Sequence, residues 1–226
     1  MASEKRYITA GCRPWNREIF DRTISRLPGE WNFVSSPEEL TLASIAKIKP
    51  RRLFFLHWSW KVPAEIVQQY ECVGFHPADL PFGRGGTPVQ NLILRGFKET
   101  KLSAFRMTEA MDAGPVYLKE SLSLEGRAED IYRRMTETAS RMIAKIIEQE
   151  PVPVPQTGEV VVFKRRRPAE SEIPPLDSLN KLYDFIRMLD TPDYPKAFIE
   201  HNGLRHEFSE ARLTKEGLEA KVKIRF

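Results

Sequence analysis

His76 closes an apolar run, Cys72 to Phe75, and opens a stretch reading FHPADLPFGRGGTP, in which proline gives way to glycine. A histidine placed after a β-type run and before such a loop can present an imidazole base at the edge of a sheet, where ligands of α/β proteins bind. A structural histidine in a turn fits the same letters. Farther along, Arg84 with Gly85, Gly86 and Thr87 pairs a guanidinium with two residues that let backbone approach a phosphate or sugar. A glycine pair serving turn geometry alone is the alternative. Trp58, Trp60 and Val62 follow another apolar run and can form a slot for a flat ring or simply fill a core.

The elements that must position these residues are legible in the first half of the chain, where short β-rich runs alternate with amphipathic segments. That pattern predicts a parallel sheet wrapped by helices. Strands are predicted over 7–10, 31–34, 52–57 and 72–75. Leu53, Phe54, Phe55 and Leu56 in succession suit a strand buried on both faces. Helices are predicted from Glu18 to Leu27, from a cap at Ser36 to Ile48 with Pro37 in the first turn, and over 63–69 and 88–95. Residues 77–87 read as loop, and 101–107 and 115–124 as extended. A long amphipathic helix over 128–150 is ended by Pro151, Pro153 and Pro155, with a last core strand at 160–163. A charged, proline-containing connector (165–176) leads to a helix at 179–189. A hairpin around Asn202-Gly203 and a strand over 218–226 follow. The expected division is a core over 1–165 and an appendage over 166–226.

Of the 226 residues, 41% are hydrophobic and 29% charged, an ordinary globular balance. No apolar run suggests a membrane span, and Met1 to Arg6 lacks a signal-peptide core, so a cytoplasmic chain is expected. Cys12 and Cys72 read as buried structural thiols without metal-ligand company, so no metal is expected. Much of the formal charge of +4 lies in Lys164–Arg167, which reads as a solvated face or as a contact for nucleotide phosphates. No nucleic-acid recognition motif accompanies it, so no nucleic-acid partner is expected.

The stretch from Phe75 to Pro88 resembles the histidine-containing signature of the folate-dependent formyltransferases, with His76, Leu80-Pro81, Arg84-Gly85 and Pro88 at the matching positions. Met111-Asp112-Ala113-Gly114-Pro115 resembles the second signature of that family, at about its separation from the histidine. The resemblance covers roughly residues 5 to 165. It implies a Rossmann-like α/β core, mostly parallel, with helices on both faces and a small C-terminal helix and β-hairpin appendage. It implies 10-formyltetrahydrofolate as donor and an amine as acceptor. His76 would take the amine proton, and Asp112 would orient the imidazole and favour its charged form. Trp58, Trp60 and Val62 would border the folate, as would Met107, Thr108, Glu109 and Ala110 on the approach to the aspartate. In one place the chain departs from the pattern: Gly74 stands where the family carries an asparagine that donates to the developing oxyanion, a donor whose loss typically costs about 10²–10³-fold. Asn91 and Thr87 are the nearby polar residues.

For the acceptor, the tail from Arg167-Pro168 through Ser171-x-Ile173, Ile186-Arg187-x-Leu189 and Pro192-Asp193-Tyr194-Pro195 resembles that of the sugar N-formyltransferases. The phrases HWSW and FHPADLPFGRGGTPVQNLI point to the branch that formylates UDP-linked 4-amino-4,6-dideoxy sugars of the pseudaminic-acid kind. On that reading a nucleotide sugar is the partner, touched by Arg84, Gly85, Gly86, Thr87, Arg187 and Tyr194. Tyr194 as a plain anchor for the hairpin is the other possibility. Glycinamide ribonucleotide is the second acceptor considered, and a folate or nucleotide-sugar binding protein without turnover the non-enzymatic reading. A tRNA acceptor is disfavoured because the segment after 165 is short. A homodimer through the hairpin's unpaired edges is an open expectation.

Overall fold

A computed structural model describes residues 5–192 and 194–226. Met1–Glu4, most of the segment expected to lack a signal-peptide core, and Asp193, part of the tail signature, lie outside the described residues. The chain divides into two compact units. The first comprises Met1–Arg84, Lys101–Leu122 and Arg133–Val162; the second comprises Gly85–Thr100, Ser123–Tyr132 and Phe163–Phe226. The tail thus takes with it two segments that chain order assigns to the core.

The first unit is built on strands β1 (Arg6–Gly11), β2 (Glu30–Val34), β3 (Arg52–Leu56), β4 (Cys72–His76), β6 (Glu99–Arg106) and β7 (Val116–Ser123), in the order β2-β1-β3-β4-β6-β7. Strands β2, β1, β3 and β4 are parallel, and β6 runs antiparallel to β4. All five residues of β3 and of β4 are buried, as the apolar stretches Leu53–Leu56 and Cys72–Phe75 suggest, with polar Arg52 and His76 at the strand ends. Alternation along β1 and β3 separates two faces. Ile8, Ala10, Leu53 and Phe55 pack with Ile45 of α2 (Leu42–Ile48) and Ile66 of α3 (Ala64–Gln69). On the other face, Phe54 lies beside Tyr7 and Trp31, and the Arg52 guanidinium donates to the Ile146 carbonyl in α5 (Ala128–Gln149). Helix α1 (Pro14–Arg22) ties to α5 through the buried amide of Asn16, which donates to Thr136 Oγ1 at 3.1 Å. The sheet therefore carries helices on both faces, as expected.

Three local expectations are corrected. Helix α1 starts at Pro14, since proline costs nothing at the first helical position and Asn16 accepts from the Arg13 N–H. Helix α2 starts after Thr41, not Ser36: Thr41 and Ser44 form a reciprocal cap, while Glu39 accepts from Ser35 N and closes residues 36–39 into a turn. The loop predicted over 77–87 contains β5 (Phe82–Gly85), which pairs with β8 (Val161–Phe163). The expectation of two buried thiols holds for Cys72, whereas Cys12 is half-buried and donates to the His57 carbonyl at 2.9 Å.

The second unit holds α4 (Pro88–Leu94), α6 (Leu179–Arg187) and a three-stranded antiparallel sheet of β9 (Ala197–His201), β10 (Leu204–Leu213) and β11 (Leu218–Arg225), with β10 central. Asn202 and Gly203 both have positive φ at the β9–β10 turn, the conformation their types favour. Among the described residues no helix is long and apolar enough to cross a membrane.

Candidate active site

His76 is the last residue of β4 and only 7% exposed. Its Nε2 lies 2.7 Å from the carbonyl oxygen of Gly83. A carbonyl can only accept, so Nε2 carries the proton, and the lone pair of the neutral ring belongs to Nδ1. That nitrogen faces Asp112 Oδ2 at 3.6 Å. The loop between His76 and β5 is pinned from below by Ser103 of β6, whose hydroxyl donates to the Ala78 carbonyl at 2.7 Å and accepts from Leu80 N at 3.4 Å. The ring is thus oriented by Gly83, and the carboxylate stands opposite Nδ1.

Asp112 itself has φ of 52°, a left-handed conformation uncommon for a residue with a side chain. Its loop lies close against the end of β6: a Cβ on Gly114 would sit 1.7 Å from the Arg106 carbonyl oxygen, so only glycine fits there. Arg84 does not reach into open space. Its Nε and Nη2 donate to Gln156 Oε1 at 3.0 and 2.7 Å, and Gln156 Nε2 donates in turn to the carbonyls of Asp112 (2.8 Å) and Gly114 (2.7 Å).

The predicted folate side forms a group on the same core. Val62 is buried in the cluster that joins β1, β3 and α3, and Trp58 and Met107 pack against that cluster from its rim. Trp58 and Trp60 meet edge to face with centroids 5.0 Å apart, and Trp60 is exposed. Met107 N donates to the Cys72 carbonyl, which holds it beside β4. Thr108 bonds the Ala110 carbonyl, and Glu109 accepts from Gln68 of α3. The buried indole N–H of Trp58 has no hydrogen-bond partner, a donor left over at an aromatic rim. Neighbouring His57, at φ 49°, is lowered to about 3 by burial and by the charge of Arg13, so it stays neutral.

The remaining predicted contacts belong to the second unit. Gly86 N donates to the Phe163 carbonyl, and a Cβ on Gly86 would lie 2.4 Å from that of Arg165. Thr87 donates to the Lys164 carbonyl and accepts from Arg166 N. The Asn91 amide is spent on the carbonyls of Gly86, Thr87 and Lys164. Gly85 to Thr87 therefore seat the connector. Arg187 is 2% exposed, paired with Asp184 at 2.6 Å and donating to the carbonyls of Leu124 and Gly126. Tyr194 is half-buried, with its N–H on the Thr191 carbonyl at 3.4 Å. Gly83, Ser103 and Gln156 were not anticipated, because two act through backbone or buried contacts and the third lies in a proline-rich stretch without a motif. Among the described residues no group of three or more His, Cys, Asp or Glu is arranged to hold a metal ion.

The fold is that of a formyltransferase. A protein from Clostridium thermocellum named methionyl-tRNA formyltransferase superposes with a TM-score of 0.93 and is 40% identical, over 98% of this chain and 99% of that one. Residues 168–225 match the family model described as methionyl-tRNA formyltransferase, C-terminal domain. The methionyl-tRNA formyltransferase of Rickettsia felis is 26% identical over 72% of this chain and 55% of its own length. The chain thus spans about half the length of the curated relatives it matches. A 4-N formyltransferase from Francisella tularensis shares the fold at a TM-score of 0.68 with 15% identity.

The chain belongs to the methionyl-tRNA formyltransferase family, whose members are folate-dependent transferases using 10-formyltetrahydrofolate. These matches correct the placement in the sugar N-formyltransferase branch, since the sugar enzymes are distant in sequence and the near relative is not one of them. They equally overturn the UDP-amino-sugar acceptor, its glycinamide ribonucleotide and binding-protein alternatives, and the expectation of a nucleotide-sugar partner with no nucleic acid. The segment after 165 is short, yet it matches the C-terminal domain of the tRNA enzymes, which removes the ground for disfavouring a tRNA.

Proposed function

We propose that this chain moves the formyl group of 10-formyltetrahydrofolate to the α-amino group of methionyl-tRNA, with His76 as the proton acceptor and Asp112 as its charge partner. The near-full-length 40% identity to the Clostridium protein carries the choice of acceptor. The donor supplies an activated formyl carbon. The amine must be neutral to attack it and must then lose a proton. Nδ1 of His76 holds the lone pair that takes this proton, because Gly83 fixes the other nitrogen as N–H. The imidazolium so formed faces Asp112 Oδ2 at 3.6 Å, and the carboxylate stabilises it until the proton passes to the leaving nitrogen. Trp58, Trp60, Val62 and Met107 would hold the folate ring and keep water from the formyl carbon, and Thr108 to Ala110 would flank it. The exposed Lys164, Arg165 and Arg167 supply charge for tRNA phosphates, in a cytoplasmic setting.

The test is formyl transfer from 10-formyltetrahydrofolate to methionyl-tRNA, followed by acid-stable formylmethionine. His76→Ala and Asp112→Ala are each expected to lower kcat by about 10²–10⁴-fold. Full activity in either variant overturns the assignment of that residue, and no product with the unaltered chain overturns the acceptor.

A further inference from the structure

We propose that Gln156 is a positioning residue for this reaction, holding Asp112 opposite His76 by tying the aspartate loop to the histidine loop. The inference rests on the roles given above to His76 and Asp112. The carboxamide of Gln156 uses its full bonding capacity. Its oxygen accepts twice from Arg84, at 3.0 and 2.7 Å, and its nitrogen donates to the carbonyls of Asp112 and Gly114, at 2.8 and 2.7 Å. Arg84 directly follows Gly83, whose carbonyl orients the His76 ring. A closed circuit therefore runs from the His76 ring through Gly83 and Arg84 to Gln156, and from Gln156 to the backbone that bears the Asp112 carboxylate.

The circuit has a physical task. Asp112 sits at φ 52°, a conformation that persists only where its surroundings hold it. The two bonds from Gln156 hold the chain leaving that residue, one on its own carbonyl and one on the carbonyl two residues later. The base of the loop is clamped independently by a pair of 2.8 Å backbone bonds between Val116 and Val154. Pro153 and Pro155 keep the chain on either side of Val154 extended, which delivers Gln156 to the loop. Without the amide, the loop keeps its clamp but loses two of the bonds that hold the backbone bearing the carboxylate. A misplacement of about 1 Å at a reacting group costs on the order of 10²-fold in rate.

The test uses the full chain with methionyl-tRNA and 10-formyltetrahydrofolate. Gln156→Met removes all four bonds at similar volume, and Gln156→Glu keeps the Arg84 pair while losing only the two donors. Both are expected to lower kcat by about 10–100-fold with each KM within about twofold. In an Asp112→Ala background, followed by single-turnover kinetics with excess enzyme, adding Gln156→Met is expected to cost nothing further. A merely structural glutamine would instead raise KM, lower the melting temperature in step, or add its loss to that of Asp112→Ala, and any of these overturns the inference. If Gln156→Met fails to fold, Gln156→Glu decides by the same criteria. Full activity in the Gln156 variants beside an inactive Asp112→Ala sinks this inference alone, whereas an active Asp112→Ala sinks the site assignment beneath it.

Discussion

Gly74 of β4 faces Phe105 of β6 across the antiparallel pair, and the phenyl ring fills the space that a side chain at position 74 would need. A Cβ built on Gly74 would lie 2.8 Å from Phe105 Cε1 and 2.9 Å from Cζ. Phe105 is 5% exposed and cannot swing clear. The glycine that departs from the family's asparagine is thus coupled to a large cross-strand neighbour. No side chain from position 74 can donate to a developing oxyanion, and adding one means reshaping the sheet beneath His76.

Gly74→Ala is accordingly expected to destabilise the protein by about 1–3 kcal/mol through overpacking. Gly74→Asn should cost more, and Gly74→Asn combined with Phe105→Ala should cost less than the sum of the two single changes, because truncating the ring makes room for the amide. Urea unfolding of the unaltered chain, the three single variants and the double variant checks this. Additive costs in the double variant would show that the ring is not the obstacle.

Burial depresses His57 from an ordinary 6.5 to about 3, with the Arg13 charge adding to the effect. The native state therefore resists protonation there while the unfolded chain does not. Between pH 6.5 and 3 the unfolded state binds more protons, so stability from this residue is complete above 6.5 and falls as pH drops, at up to about 1.4 kcal/mol per unit. Asparagine tolerates the φ of 49° at this position. The unaltered chain should lose about 2 kcal/mol more than His57→Asn between about pH 7.5 and 5, measured by urea unfolding at both values. Equal losses would contradict the buried neutral imidazole.

The exposed basic side chains of Lys164, Arg165 and Arg167 carry their own prediction. Replacing all three by glutamine removes charge without touching the backbone that Thr87 and Asn91 grip. KM for methionyl-tRNA should rise and its dependence on salt should flatten by up to about 0.9 for each phosphate no longer neutralised, while kcat stays near that of the unaltered chain. An unchanged salt slope would remove this run from the tRNA surface.

What the sequence disclosed follows from which interactions leave a local trace. The strands at 53–56 and 72–75 are legible because burial on both faces writes an unbroken apolar run. The His76 loop and the Asp112 loop were legible through resemblance, as paired motifs at a given separation. The partners that set their geometry were not. Gly83 acts through its carbonyl, which every residue possesses, and Gln156 meets Asp112 from 44 positions away in a segment marked only by prolines. The branch is not legible in short phrases such as HWSW or the tail signature; it emerges from identity along the whole chain.

Arg187 shows how a plausible ligand contact can prove to be a fastener. Its guanidinium bonds Asp184 Oδ1 at 2.6 Å and the carbonyls of Leu124 and Gly126 at 2.6 and 2.8 Å, and it lies 5.5 Å from the Tyr183 ring centroid. Those two carbonyls belong to the 123–132 segment, so Arg187 helps to bind that segment into the second unit, beside the Leu124 N–H on the Lys98 carbonyl and the Gln90 amide on Tyr132. Arg187→Ala would leave a half-buried carboxylate and two carbonyls without their donor, a loss of about 3–5 kcal/mol. Arg187→Lys keeps the charge but presents a single point in place of a planar fork, and should recover less than half of that. Guanidinium unfolding measures the cost, and KM for methionyl-tRNA at a temperature where each variant remains folded separates the two readings. A residue that only fastens the fold leaves KM within about twofold. A raised KM in a chain of unaltered stability would return Arg187 to the substrate.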